Sequence, residues 1–426
     1  MLDIQRLTLV IPQVAATGLR GLNLISKFIV TLFVAKFSNP EVVAAFGLYW
    51  TTVVLCSAVI GVDLYAYTSR KILSGENKVV EHIRFHFGGL SIAGLLFIPI
   101  IMVSLYWGVS VLQNIILLLG GHLIIEFYSH EIARILIALK RPFLAIVINT
   151  FRGAVWAAIA VAYILYKKQD FELYIVFIIW GVCSCISLML GLIGLRVVLK
   201  CWAVARLDIT WLFSAIKVCS ILFLGTVAFR LVVGADRYIV SHLYDIAGTG
   251  YYIFFGTLSF AIVGLIESGV SAWKYPAMVM ALRTRTYRQF ETIKSDYVRQ
   301  NLLASVFLVS LAGMVVYSVC FFFLDDGYLE HYFMFFYMLL GVGVYSASMP
   351  YHYIIYGAER DWVLVLNNML SFAAFCGVLL FSRGHGVEMA AFAFMAGLVC
   401  LGVLRYMFSL VILRKYSWDS ERGFSQ

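Results

Sequence analysis

FGLYWTTVVLCSAVIGVDLYAYTSRK, residues 46–71, lies over TGYYIFFGTLSFAIVGLIESGVSAWK, residues 249–274, when the chain is shifted by 203 residues. Gly47, Tyr49, Leu55, Ala58, Gly61 and Lys71 then meet Gly250, Tyr252, Leu258, Ala261, Gly264 and Lys274. Six identities are few for two apolar segments. A second pair adds to them: KRPFLAIVIN (140–149) lies over ERDWVLVLNN (359–368), matching Arg141 with Arg360 and Asn149 with Asn368. Each pair joins helices of the same ordinal number, the second with the eighth and the fifth with the eleventh. A parallel duplication of six helices is the simplest account, as expected of many transporter folds. The expected division is an N-terminal lobe over 1–200, a C-terminal lobe over 201–413 and a cytoplasmic tail over 414–426.

Both members of each pair are apolar enough to lie in a bilayer, and so is most of the chain. Of its 426 residues 62% are hydrophobic and only 13% charged, with mean hydropathy +0.93. A soluble domain is about half apolar and a quarter charged. A helical span needs about 20 apolar residues. Twelve stretches meet that length, centred on 11–35, 42–65, 87–108, 111–138, 143–166, 173–197, 211–234, 247–272, 301–324, 332–356, 362–382 and 387–412. An all-α polytopic membrane protein follows, with about twelve transmembrane helices and no soluble domain in its short loops. The first stretch is long, carries charge and is followed by no small-residue cleavage pattern, so it reads as a retained helix.

Charge distribution gives the orientation. Of 32 Lys and Arg, 21 collect on one side if both termini are cytoplasmic. Only Lys36, Lys167, Lys168, Arg237 and Arg383 fall on the other side, together with Asp325, Asp326 and Glu330. That is the positive-inside pattern, and it accounts for the net charge of +9 without nucleic acid. The eight cysteines lie almost all in apolar runs without C-x-x-C pairing and read as small core residues.

Six cations fall inside the spans: Arg20, Lys27, Arg152, Lys217, Arg230 and Arg405. A cation at the bilayer centre costs roughly 2.5–3.5 kcal/mol on insertion scales, so it faces a partner or water. Arg20 and Lys27 in GLRGLNLISKF (18–28) are two helical turns apart on one face. They either pair with Asp63, Glu126 or Glu131 on other helices or meet an anionic ligand such as a pyrophosphate. Arg152, with Asn149 one turn earlier, faces a cavity or pairs with an acid of the fourth helix. Arg230 is a partner for Asp236 or a substrate contact. Lys217 reads as snorkelling to the surface and Arg405 as structural.

The fourth helix carries GHLIIEFYSHEIAR (121–134). His122, Glu126 and His130 share a face, and Glu131 is placed to pair with Arg134. The stretch is too long, at about 12 Å, for one metal ion to touch all three, so no metal is expected. Glu126, His130 and Glu131 are therefore candidates for proton or sodium coupling or members of an interhelical polar seam. Glu126 stands out, since a carboxylate in apolar surroundings titrates nearer neutrality. The aromatic residues of the second and eighth helices read mainly as interfacial belt and packing.

The stretches AKFSNPEVVAAFGLYW (35–50), GADRYIVSHLYDIAGTGYYIFFGTLSF (234–260) and ERDWVLVLNNMLSFAAFCGVLLFSRGHGVEMAAFAF (359–394) are similar to the polysaccharide (O-antigen, Wzx-type) flippases of the multidrug/oligosaccharidyl-lipid/polysaccharide (MOP) exporter superfamily. The resemblance covers most of the chain. It implies two six-helix lobes around a central cavity, MATE-like, passing an undecaprenyl-pyrophosphate-linked oligosaccharide from the inner to the outer leaflet of a bacterial inner membrane. It further implies that the first helix lines the cavity with cationic groups, and that polysaccharide polymerase and glycosyltransferases work nearby; no motif on that helix matches residue by residue, and Arg20 and Lys27 are the cations that would meet the pyrophosphate there. Arg152 and Arg230 are further substrate contacts on this reading, and Arg70, Lys71 and Lys274 would gather the head group from the inner leaflet.

Alternatives are a multidrug or organic-ion antiporter of the same superfamily, which would want acids in the cavity, and a membrane-embedded polymerase or ligase, which would want a large outer loop. A lipid II flippase resembles a fourteen-helix chain, and twelve spans are found here. No enzyme and no cofactor are expected: the sequence has no GxxxxGK[ST], GxSxG or HExxH motif.

Overall fold

The computed structural model describes residues 2–73, 78–382 and 384–416, except the side chains of residues 2–17, Arg20, Leu24 and Leu222. Among the described residues there are helices and no strands. Twelve long helical segments follow one another. They are α1 Leu2–Phe37, α2 Pro40–Ile60, α3 Val79–Gly108, α4 Ser110–Ala138, α5 Pro142–Asp170 and α6 Leu173–Leu199. Then come α7, the bent pair Ile209–Ile221 and Phe223–Leu243, α8 Ile246–Arg283, α9 Tyr287–Phe323, α10 Tyr332–Gly357, α11 Asp361–Phe381 and α12 Glu388–Lys415. Among the described residues ten of these are long and apolar enough to cross a bilayer, eleven with the bent pair. α1, at 36 residues, is the remaining long helix.

The chain divides into two compact units, Met1–Phe223 and Leu224–Gln426, so that the first part of α7 packs with the first unit. The tail from residue 417 onward lies outside the described residues.

Corresponding helices of the two units start and break alike. α2 starts at Asn39, whose Oδ1 accepts the Val42 N–H at 3.1 Å, with Pro40 in the first turn. α8 starts at Asp245, whose Oδ2 accepts the Gly248 N–H at 3.2 Å. An Asx cap satisfies N–H groups that the first turn leaves open. α2 then stops at Ile60 with the shared Gly61 as its cap: Val62 and Asp63 turn to φ 45° and 50°, and a short helix Leu64–Leu73 resumes. Positive φ is strained for a β-branched Val. α8 loses regular geometry at the matching place, running as a π-turn over Glu267–Ser271 just past Gly264. Further π-turns interrupt α5 at Phe151–Val155 and α7 at Leu231–Ala235.

Lipid-facing surface is plain in the side chains. α9 exposes Leu303, Val306, Phe307, Met314 and Phe322, with relative exposures of 59–76%. In water such a stripe would be an association site, whereas hydrocarbon solvates it. α9 begins at Tyr287, well before the apolar stretch expected from 301. The added turns are polar and held by side-chain pairs: Lys294 reaches Glu291 at 2.7 Å, and Gln300 donates to Asp296 at 2.9 Å. A hydropathy ruler sees the membrane portion of a helix and not its solvated extension.

The connector between α6 and α7 is extended and strapped to the first unit. Arg206 donates its N–H to the Arg84 carbonyl at 3.0 Å, and Arg84 Nη2 donates to the Trp202 carbonyl at 3.3 Å. Gly88 is required here, because a Cβ would stand 2.1 Å from the Arg206 carbonyl oxygen. Asp208 then caps α7, accepting from Thr210 Oγ1 at 2.6 Å and Trp211 N–H at 3.0 Å. Those bonds, the Thr210 hydroxyl first, hold its carboxyl below the usual carboxylate range.

Candidate functional site

The first unit gathers its polar side chains around Glu126. One turn apart on α4, His122 and Glu126 share the inward face that their spacing expects. Glu126 is 3% exposed and fully engaged. Its Oε2 lies 2.6 Å from Arg152 Nε and 2.5 Å from Arg152 Nη2. Its Oε1 accepts from Trp180 Nε1 and from Ser184 Oγ, each at 2.9 Å, with His122 Nε2 at 3.8 Å. Of the readings left open for Arg152, the structure places it against an acid of the fourth helix. Asn149 accepts from its Nη1 at 3.0 Å. The guanidinium is therefore positioned from two sides while remaining partly exposed, at 18%.

The π-turn of α5 makes this possible. A π-turn inserts a residue and releases backbone groups from the helical ladder, and each released group needs a partner. Asn23 of α1 supplies one, its Oδ1 accepting the Ala154 N–H at 3.1 Å. Trp156 supplies another, its Nε1 donating to the Arg152 carbonyl at 2.8 Å. Gly153 lets α1 approach, since a Cβ there would be 2.8 Å from Asn23 Oδ1.

Lys27, one turn beyond Asn23 on α1, is half-buried with its Nζ 4.9 Å from the Trp50 ring centroid. Trp50 stacks on Trp180 at 4.5 Å, and Trp180 on Trp156 at 5.1 Å. Three indoles from α2, α5 and α6 thus connect Lys27 to the Glu126–Arg152 pair. Tyr49 completes the wall from behind, stacked on Phe177 at 3.8 Å with its hydroxyl 3.0 Å from His122 Nδ1. Both Tyr49 and Phe177 are buried, so Tyr49 is core and not belt. Two cations, Lys27 and Arg152, and the carboxylate of Glu126 thus stand in one cluster within the first unit, in a water-poor setting where a point charge interacts strongly.

The other expected residues are distributed as follows. Glu131 is fully buried in a separate node. Its Oε1 lies 2.9 Å from Arg134 Nη1, as the spacing expects, and its Oε2 lies 3.3 Å from His86 Nε2 of α3. Thr68 Oγ1 meets His86 Nδ1 at 3.0 Å. His130 is half-buried on the same helix. Arg70 is exposed and Lys71 half-buried on the short helix after α2. In the second unit Lys274 is ion-paired with Asp296, and Arg230 is half-buried just before the π-turn of α7. Arg405 is buried, donating to Ser348 Oγ at 3.2 Å with its Cζ over the Tyr345 ring at 4.7 Å. The side chain of Arg20 lies outside the described residues.

The sequence reading did not single out Asn23, Trp156, Trp180 or Ser184. One signal was present: Trp180 and Ser184 stand at i, i+4 on α6, the spacing that joins His122 to Glu126 on α4.

No protein-family model matches the chain, and no curated protein matches its sequence. In structure it is similar to the lipid II flippase MurJ in an inward closed conformation, with TM-score 0.73 and 14% identity over 96% of this chain and 88% of that one. It is similar to an inward-facing multidrug resistance MATE family transporter of the MOP superfamily, with TM-score 0.69 and 11% identity over 93% and 96%. A mutant of the Vibrio cholerae MATE transporter VcmN aligns with TM-score 0.63 and 12% identity over 96% and 97%. At these identities the likeness establishes the fold alone, and the chain has a MATE-like fold.

Proposed function

We propose that the chain is a flippase that moves an undecaprenyl-pyrophosphate-linked oligosaccharide, of the O-antigen repeat type, from the inner to the outer leaflet of a bacterial inner membrane by alternating access. The observation that carries this reading is the cationic cluster within the spans of the first unit, where Lys27 lies over Trp50 and Arg152 is held by Glu126 and Asn149. The cation excess of one end of the spans supports termini on the cytoplasmic side.

A pyrophosphate brings about two negative charges and several acceptors. Lys27 meets it as a mobile point charge. The partly exposed guanidinium of Arg152, oriented by Glu126, offers a fixed donor beside it. Arg20, seven residues before Lys27 on α1, is the second cation that this reading assigns to the head group. Arg230 is assigned a later contact along the path, and Arg70 and Lys71 the first encounter. Lys274 meets Asp296 instead, and contributes to gathering only if the substrate displaces that pair. Of the candidates for ion coupling, Glu126 and Glu131 are each held by a cation, Arg152 and Arg134, and would respond to an ion gradient only as that pair opens, with His130 the third candidate. An antiporter of organic cations would want an acid without a cation beside it, and the acid at this site has Arg152.

The test is complementation of cells that lack their own flippase, reading glycan displayed at the surface, with membrane expression matched. Lys27→Ala is expected to abolish display and Lys27→Arg to retain it, while Lys217→Ala, an exposed cation of α7, leaves it unchanged. Undiminished display by Lys27→Ala would contradict the assignment.

A further inference from the structure

Beneath the strap that joins α6 to α7 lies a cavity of about 330 Å³ in the first unit. Phe87 of α3, Ile132 of α4 and Leu188 and Leu192 of α6 form its inner wall, and Trp202 and Val204 of the strap form the outer one. Its polar content is small. Ser91 Oγ and Tyr128 OH bond to each other at 3.1 Å, which leaves Arg196 as the single charged side chain in the lining. Arg196 is exposed, with its Cζ 4.7 Å from the Trp202 ring centroid. A guanidinium over a ring keeps its N–H edges available to acceptors.

The surroundings are those of a membrane interface. The strap and the start of α7 expose Trp202 at 47%, Val204 at 69%, Leu207 at 49% and Ile209 at 60%, interleaved with the exposed cations Lys200 and Arg206. Exposed Trp and aliphatic side chains among cations suit a headgroup layer and not bulk water. The strap is also a fixed roof, because the Arg206 N–H to Arg84 carbonyl bond and the close approach at Gly88 hold it in place. An apolar chamber with one cation, beside a basic surface at the end of the spans, matches one ligand chemistry: an acyl chain carrying an anionic head.

We propose that this cavity is a binding site for one acyl chain of an anionic phospholipid, whose phosphate is held by Arg196. The site is separate from the Lys27 cluster and does not depend on what the protein transports.

Native mass spectrometry of the purified full chain tests it, with phosphatidylglycerol and phosphatidylcholine of identical chains supplied together. The wild type is expected to retain phosphatidylglycerol about fivefold over phosphatidylcholine, the worth of one cation facing an anionic head. Arg196→Gln should bring that ratio close to one. Leu192→Trp, which fills the chamber, should remove the retained adduct, while Leu192→Met keeps it and shows that the position tolerates change. Arg414→Gln, at the end of α12, should leave the ratio as in the wild type. Equal retention of the two lipids by the wild type, or unchanged retention in both Arg196→Gln and Leu192→Trp, would overturn the proposal.

Discussion

Glu126 and Arg152 form an ion pair in the interior of the first unit, with Oε2 2.5 Å from Nη2 and 2.6 Å from Nε. The carboxylate is almost wholly buried and the guanidinium mostly so. Removing one member of such a pair leaves the other charge uncompensated and costs about 3–5 kcal/mol, whereas neutralising both is far milder. Arg152→Gln and Glu126→Gln should each lower the midpoint of thermal unfolding in detergent by several degrees. The double variant should recover most of that loss. Full additivity of the two single effects would show that the pair is not coupled.

The π-turn of α5 depends on Asn23. Its Oδ1 accepts the released Ala154 N–H, and Gly153 leaves room for it to do so. Gly153→Ala would push the amide away and leave that N–H unmet, at about 1–3 kcal/mol. Reduced glycan display together with reduced thermal stability is the expected outcome, and Asn23→Ala should resemble it. Wild-type behaviour of both variants would mean that α1 does not hold the turn.

These contacts show how far the sequence can be read. The twelve long helices, the Glu131–Arg134 pair and the shared face of His122 and Glu126 follow from local periodicity, and an acid on the fourth helix is one of the two partners that the cost of burying charge leaves open for Arg152. The choice of Glu126 over other acids does not, since it depends on helix register and on a π-turn that no hydrophobic pattern encodes. Nor does the indole wall follow: Trp50, Trp156 and Trp180 stand on three helices, and only packing brings them together. The early start of α9 escaped for a simpler reason, as its first turns are solvated and lie outside a hydropathy window.

Lys27 over Trp50 is worth about 0.5–2 kcal/mol as a cation–π contact, more as water is excluded. Trp50→Leu should therefore weaken head-group binding by about twofold to thirtyfold. Trp50→Phe keeps a ring face and should fall between Leu and wild type. Identical binding by the Leu and Phe variants would assign Trp50 to packing alone.

The strap between α6 and α7 should come loose when Gly88 is enlarged. Gly88→Val places atoms where the Arg206 carbonyl stands, since even a Cβ would be 2.1 Å from its oxygen. Backbone cannot yield as a side-chain tip does, so the strap must lift. Limited trypsin digestion should then cleave after Lys200 or Arg206 several times faster than in the wild type, with total helix content by circular dichroism unchanged. Equal cleavage rates would show that the strap is not held by this contact.

The central claim is that the α1 cluster receives a pyrophosphate. It is tested most directly by equilibrium binding of a short-chain polyprenyl pyrophosphate-linked sugar to the purified protein, with the matching monophosphate and an organic cation as comparisons. The account expects the pyrophosphate to bind tighter than the monophosphate, and Lys27→Ala to weaken it about tenfold or more, the worth of a lost charge-assisted contact. Saturable binding of the organic cation alone, or equal affinity of Lys27→Ala and wild type for the pyrophosphate, would contradict it.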